Sequence, residues 1–319
     1  MGLSNYIKHW FRHDSNTRAL LREVHRRQEE TDQVLKEEFL KIHIEKVRQQ
    51  TLTCHESGVS TEKLCDHEVI VSLTSFGERI HDVHVSIESI MQGSVKPNRI
   101  ILWLSEEEFR NKPIPTTLKR QQQRGLEIAF CKDIRSYKKL IYTLQQNPEA
   151  CIITIDDDVI YDFDIVERLI ASHINHPNII CACRVHRVTL DSNGHPKSYL
   201  KWDDRVTSSD ISPLNFSTGI GGVLYPPHCF SSEVFNSDIF LKLCPLADDI
   251  WFYAMALIKN TPILKIKTRI PDGHPTELPT SRVDALLSSN TNPEDCLNDK
   301  QLKAVFEHYD LFSKLQNPG

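Results

Sequence analysis

The sequence predicts an α/β protein: a doubly wound, mostly parallel sheet with helices on both faces, preceded by a helical extension. Three observations predict it. Short apolar runs rich in β-branched residues, such as Val69-Ile-Val-Ser-Leu73 and Cys151-Ile-Ile-Thr-Ile155, alternate with amphipathic stretches, as βαβ units do. These runs are apolar nearly throughout, the pattern of strands covered on both faces. Ahead of them, Arg18 to Gln50 is densely charged, has apolar residues at helical spacing and lacks Gly and Pro.

Residues 1–60 therefore form the helical extension. Leu20, Leu21, Val24, Val34, Leu35, Phe39, Ile42 and Val47 recur at helical spacing, but the heptad breaks near Gln28 and Thr31, which does not suit a long coiled coil. The extension is expected to pack as a helical arm, with peripheral membrane contact or self-association as the functional alternatives. Thr51 to His67 is polar and turn-like, as a linker would be. Val69–Leu73 begins the sheet, Thr74-Ser-Phe-Gly77 is a loop, and Arg79 to Met91 is a helix with Ile80, Val83, Ile87 and Ile90 on one side. Arg99–Leu104 and Leu126–Cys131 are the next strands, Tyr137–Gln146 a helix, and Cys151–Ile155 the fourth strand. Asp164 with Glu167 has the spacing of a capping box for the helix that follows. Asn178–Arg184 is a strand, 195–216 is irregular, and Ser217–Pro227 holds three glycines before a short apolar run. Asp248 and Asp249 stand where they would cap the helix Ile250–Ile258; Ile263–Ile270 is a strand, and Asp299–Leu315 closes the chain as a helix. The domain division that follows is 1–60, 67–165 and 166–319.

Composition narrows the function. Over 319 residues the net charge is −5, which does not suit a general nucleic-acid binder. No apolar stretch approaches the roughly 18–20 residues that cross a bilayer, and the charged N-terminus lacks a signal-peptide core. A cytoplasmic protein is expected, at most peripheral to the inner face of the membrane. The nine cysteines are odd in number and show no metal-type pairing; Cys181-x-Cys183 reads as buried thiols, and all are expected to be reduced.

The chemistry concentrates at Asp156-Asp157-Asp158, directly after the fourth strand. Ligands of open α/β sheets sit beyond the carboxyl ends of strands. Three adjacent carboxylates repel one another, so protons or a cation must sit among them. Oxygen ligands select a hard ion such as Mg²⁺ or Mn²⁺, which commonly bridges to phosphate. A solvated acidic turn is the plain alternative. No Gly-rich phosphate loop is present: Ser75-Phe76-Gly77 fits neither the dinucleotide fingerprint nor the P-loop.

From about Val69 onward the chain resembles GT-A fold glycosyltransferases, a Rossmann-like class, and in particular bacterial family-2-like enzymes of surface polysaccharide synthesis. The resemblance rests on Leu73-Thr-Ser75 with Arg79, DIRSYKKL (133–140), TIDDDVIYD (154–162), TGIGGVLYPP (218–227) and CPLADDIWF (244–252), in that order. It implies a nucleotide-diphosphate sugar donor, a glycan or lipid-linked acceptor, and Mn²⁺ or Mg²⁺ on a D-x-D motif. Residues 67–165 become the donor-binding half and 166–319 the acceptor-binding half. Carried over, Asp156 faces ribose or metal and Asp158 ligates the metal, with His274 as a further candidate ligand. Thr74, Arg79, Asp133, Lys139, Asp157, Gly221 and Gly222 fall where the donor is contacted. Asp248-Asp249 matches the x-E-D motif with Asp248 in place of Glu, and Asp249 is the expected base. Its place at a helix N-terminus should lower its pKa. A haloacid-dehalogenase-like phosphohydrolase is the alternative enzyme, since D-D-D-V-I is one residue from that signature; a catalytically silent sugar-binding protein is the third reading.

Overall fold

A computed structural model describes residues 3–279 and 290–316. The chain divides into two compact units, Met1–Lys46 and Val47–Gly319. The stretch 47–60, which the sequence groups with the extension, thus belongs with the α/β unit. The first unit is carried by α1 (Leu3–Thr53), one unbroken helix. Pairs three and four residues apart support it, among them Arg26 with Glu23 at 2.7 Å and with Glu30 at 2.6 Å. Leu20, Val24, Val34, Leu35, Phe39 and Ile42 are exposed.

In the second unit the strands are β1 (Val69–Thr74), β2 (Arg99–Ser105), β3 (Leu126–Cys131), β4 (Cys151–Thr154), β5 (Val159–Ile160), β6 (Ile180–Ala182), β7 (Val185–Arg187), β8 (Ile211–Ser212), β9 (Asn215–Ser217), β10 (Val223–Tyr225), β11 (Ile263–Lys265) and β12 (Thr276–Glu277). The helices that cover them are α2 (Val83–Met91), α3 (Glu106–Phe109), α4 (Thr116–Gln122), α5 (Lys138–Gln146), α6 (Ile165–Asn175), α7 (Ser237–Leu243), α8 (Asp248–Lys259) and α9 (Leu297–Tyr309). Eight strands form one sheet in the order β3-β2-β1-β4-β10-β6-β11-β8. β1 to β4 are mutually parallel, β10 runs antiparallel to both neighbours, and β11 is parallel to β6. The expected α/β class with a mostly parallel sheet is what the chain adopts. In this sheet β1 to β4, from 67–165, lie side by side, and β10, β6, β11 and β8, from 166–319, continue it beyond the β4–β10 pairing, so the two expected halves share one sheet.

Alternation along β1 separates two cores. Val69, Val71 and Leu73 pack with α2 and α6, whereas Ile70 packs with α5, α8 and α9. Trp251 and Phe252 belong to the second core and are buried; Trp251 Nε1 donates to the Val234 carbonyl at 3.1 Å. Both are core residues.

Four local expectations are revised. The helix expected from Arg79 opens as a 3₁₀ turn, Gly77–His81, before α2 begins. The capping box at Asp164 does not form: its carboxylate pairs with Arg168 at 2.7 Å and Arg269 at 3.1 Å, and Glu167 accepts from Ser94 Oγ at 2.7 Å. Two guanidinium groups outcompete a neutral backbone donor for that carboxylate. The irregular 195–216 region holds β8 and leads into β9, which pairs with β7. The linker is no free tether, because Gly58 N–H donates to the Arg124 carbonyl at 2.8 Å and Asn98 Nδ2 donates to the Ser60 and Glu62 carbonyls.

Candidate active site

β4 ends at Thr154 and the acidic turn follows at the carboxyl edge of the sheet. The Asp156 N–H donates to Tyr161 Oη at 2.8 Å, and that hydroxyl donates to the Ile220 carbonyl at 3.1 Å. A buried phenol thus ties the acidic turn to the glycine turn before β10.

The three carboxylates part company. Asp157 is buried and turns inward, accepting from Ser75 Oγ at 2.6 Å and from Arg79 Nη1 at 3.1 Å. Arg79 Nη1 also donates to Asp158 at 2.8 Å. Asp157 and Arg79, both expected to touch the donor, therefore clamp the loop after β1 to the turn after β4. Asp156 points elsewhere, 2.9 Å from Lys139 Nζ. Lys139 lies in the first turn of α5, is buried, and stands 3.2 Å from Asp248 Oδ2. Asp248 and Asp249 occupy the first turn of α8 rather than capping it; the cap position is Ala247. Asp249 accepts from the Gly219 N–H, at 3.1 Å to one oxygen and 3.2 Å to the other.

Lys139, Asp156, Asp248, Asp249 and Gly219 thus meet at one point. A Cβ on Gly219 would stand 2.8 Å from Lys139 Nζ, 3.2 Å from Asp249 Oδ1 and 3.6 Å from Asp156 Oδ1. The glycine keeps that space open. Gly221 and Gly222 lie behind it: a Cβ on Gly221 would strike Arg184 at 2.5 Å, and Gly222 holds φ +88°, where glycine alone is comfortable. Both shape the turn rather than line its front.

The site holds more negative charge than its two cations offset. Burial opposes the charge of Lys139, but Asp156, Asp248 and Asp249 outweigh it and keep the ammonium protonated. Burial, then Asp156 and Asp157, push Asp158 up to about 7 despite Arg79. Burial and Asp248 push Asp249 up to about 7 against the pull of Lys139. The expected lowering by the helix N-terminus is overturned, since desolvation and a like charge exceed a dipole effect worth about 0.3–1 kcal/mol.

Other expected residues stand apart. Thr74 Oγ1 donates to the Trp103 carbonyl at 2.8 Å. Asp133 is exposed, accepts from the Arg135 N–H at 3.0 Å and pairs with Lys138; burial raises its pKa, but those partners hold it below the ordinary value. His274 Nε2 pairs with Glu277 at 2.9 Å, while its Nδ1 is buried without a hydrogen-bond partner. β12 nonetheless lies along β5, and the Leu278 N–H donates to the Asp158 carbonyl at 2.8 Å, so the His274 loop runs beside the acidic turn.

For a divalent cation, the donor set fits in type and charge. Carboxylate oxygens of Asp156 and Asp158 suit Mn²⁺ or Mg²⁺, with the imidazole of His274 a less usual donor for these ions, and a cation would offset the burial and repulsion that raise Asp158. Among the described residues, Asp156, Asp158 and His274 are not drawn into a common ligand spacing.

Sequence reasoning missed Gly219, Ser75, Tyr161 and Arg184. Gly219 sat in the same glycine run; nothing marked it above its neighbours. Arg184 Nη1 donates to Thr218 Oγ1 at 2.8 Å, and its guanidinium lies 3.8 Å from Asp204.

No family model matches the chain, and no curated protein does. Among solved structures, HddC from Yersinia pseudotuberculosis is similar at 14% identity and TM-score 0.32, covering 51% of this chain and 78% of that one. The same protein complexed with GMP-PN gives 12% and 0.29, over 51% and 78%. CMP:2-keto-3-deoxy-manno-octonic acid synthetase complexed with CTP gives 11% and 0.35, over 61% and 87%. Likeness at this level carries no argument about the chemistry of the site. Among the described residues, no helix is long and apolar enough to cross a membrane.

Proposed function

We propose that the protein is a metal-dependent glycosyltransferase of the GT-A type. It moves a sugar from a nucleotide-diphosphate donor, a uridine diphosphate sugar, to a glycan or lipid-linked acceptor in polysaccharide, lipopolysaccharide or capsule synthesis. The supporting observation is the meeting of Asp156 and Asp249, from two distant segments, around Lys139 at Gly219.

In this reading an acceptor hydroxyl attacks the anomeric carbon while the bond from that carbon to the diphosphate oxygen breaks. The configuration at that carbon inverts. Asp249 takes the hydroxyl proton, and the electron pair of the broken bond leaves with the nucleoside diphosphate. A carboxylate with a pKa of about 7 suits this role, because a general base works best near the operating pH. The Gly219 amide fixes its orientation. Lys139 keeps Asp156 and Asp248 in place and offers positive charge to the leaving group. Asp156, Asp158 and His274 are the residues that would hold Mn²⁺ or Mg²⁺, which when bound supplies Lewis-acid neutralisation of the diphosphate. The exposed apolar residues of α1 are assigned to peripheral contact with a membrane surface or a second copy.

The test is calorimetric titration with uridine diphosphate sugars, with and without Mn²⁺, on the native chain and on Asp158→Asn. Metal-dependent binding that the variant loses supports the reading. Binding that ignores both metal and substitution removes it.

A further inference from the structure

At the amino ends of the parallel strands, opposite the aspartates, a second set of groups converges. Cys151 is the first residue of β4, His173 stands near the end of α6, and Cys65 lies in the segment leading to β1. Cys151 Sγ is 3.2 Å from His173 Nε2. The two sulfurs and the imidazole nitrogen all fall within 4.8 Å of one another, and no other trio of His, Cys, Asp or Glu among the described residues does so. Cys151 and His173 are buried and Cys65 half-buried. His173 Nδ1 has no hydrogen-bond partner, so the imidazole makes its polar contact with the thiol side alone. Burial, then the neighbouring His67, keeps that ring neutral below the ordinary histidine range, leaving a lone pair to donate.

The donor chemistry decides the ligand. Two thiols and a neutral imidazole form a soft to borderline set, poorly matched to Mg²⁺ or Mn²⁺ and well matched to Zn²⁺. Three protein ligands leave one position of a tetrahedral ion to water or to His67, whose ring lies 6.4 Å from that of His173. Burial raises the Cys151 thiol above its ordinary range, so in the metal-free protein that sulfur keeps its proton. Binding would release one proton from each thiol as each sulfur forms its bond to the ion.

We propose that Cys65, Cys151 and His173 form a thiophilic metal site that takes Zn²⁺ and fastens the segment ahead of β1 to the base of the sheet. The three come from the loop before β1, from a strand and from a helix, which a bound ion would cross-link. Such a site is separate from the aspartate site at the opposite edge, and it does not depend on the transferase reading.

The experiment uses the full chain, reduced, stripped by chelator and titrated with Zn²⁺, then with Co²⁺ as a spectroscopic probe. One equivalent of Co²⁺ should give sulfur-to-cobalt charge transfer and the visible bands of a tetrahedral ion, and Zn²⁺ should displace it and raise Tm. Cys65→Ser, at a half-buried position, should lose the charge-transfer band or reduce it to that of a single sulfur. Cys296→Ser and Asp158→Asn should keep it whole. The proposal is overturned if no thiolate band appears, if Cys65→Ser leaves it unchanged, or if mass spectrometry of the unreduced native protein shows a Cys65–Cys151 disulfide in place of two thiols.

Discussion

The Gly219 amide donates to both carboxylate oxygens of Asp249, at 3.1 Å and 3.2 Å. An orphaned backbone donor ahead of β10 therefore fixes the plane of the carboxylate assigned as base. Gly219→Ala leaves that amide in place but puts a methyl group 2.8 Å from Lys139 Nζ and 3.2 Å from Asp249 Oδ1. Transfer should fall about 10²-fold, the scale on which a misplacement of roughly an ångström is felt. Steady-state kinetics beside a thermal melt checks this; a normal rate with a normal melt removes Gly219 from the site.

Asp249→Asn should keep donor affinity and lower turnover by about 10²–10⁴-fold. The pH profile is more telling. A base must be ionised, and Asp249 is pushed up to about 7. In the native enzyme kcat/KM should climb with pH below that value and level above it. The residual activity of the Asn variant should lack this limb. A limb that persists in the variant would assign the proton to another group.

Stability should depend on pH in a defined direction. Asp158 and Asp249 are both raised to about 7 by burial and neighbouring carboxylates. The folded chain thus holds their protons more tightly than the unfolded chain does. Their contribution to stability is present below the ordinary carboxylate pKa of about 4 and is lost as pH rises through about 7. In chelator at pH 8, Asp158→Asn should therefore melt higher than the native protein, by roughly 2–4 °C for each kcal/mol regained. At pH 4 the two should nearly coincide. Melts of both proteins across that range decide it, and an Asn variant that is less stable at pH 8 would contradict the electrostatic account.

Away from the site, Glu88 is buried and accepts two bonds from Arg124 Nη1, at 2.9 Å and 2.8 Å, and one from Gln121 Nε2 at 3.0 Å. Arg124 also donates through Nε to the Glu56 carbonyl at 2.7 Å. Arg124→Met strands a buried carboxylate and should cost about 3–5 kcal/mol in urea unfolding. Replacing Glu88 by Leu in the same chain should restore much of it. Equal losses in the single and double variants would show that the ion pair itself supplies the stability.

Much of the fold was legible because its signals are local. The apolar runs at Val69, Arg99, Leu126 and Cys151 became β1 to β4, and the acidic turn fell at their carboxyl edge. The unbroken helical pattern before them became α1. What was not legible depends on contacts between distant segments. Nothing in Asp156-Asp157-Asp158 says that the middle residue turns inward; Ser75 and Arg79, from the loop after β1, decide that. Spacing placed Asp249 on a helix N-terminus, but its pKa follows from burial and Asp248 in the assembled site. Cys65, Cys151 and His173 have no motif spacing, so only the folded sheet brings them together.

β10 runs against both of its neighbours, β4 and β6. Because of that reversal, the glycine turn at its leading end, not its trailing prolines, is delivered to the acidic edge. At that same edge the turn is anchored by Tyr161, from the acidic segment, and by Arg184, just after β6. The segment between Thr189 and Asp210, upstream of this turn, is sewn into the same body: Trp202 is buried in the core, the Tyr199 N–H donates to Asp299 at 2.6 Å, and Asp204 lies 3.8 Å from Arg184. A change of length there would therefore be felt at the glycine turn through Arg184.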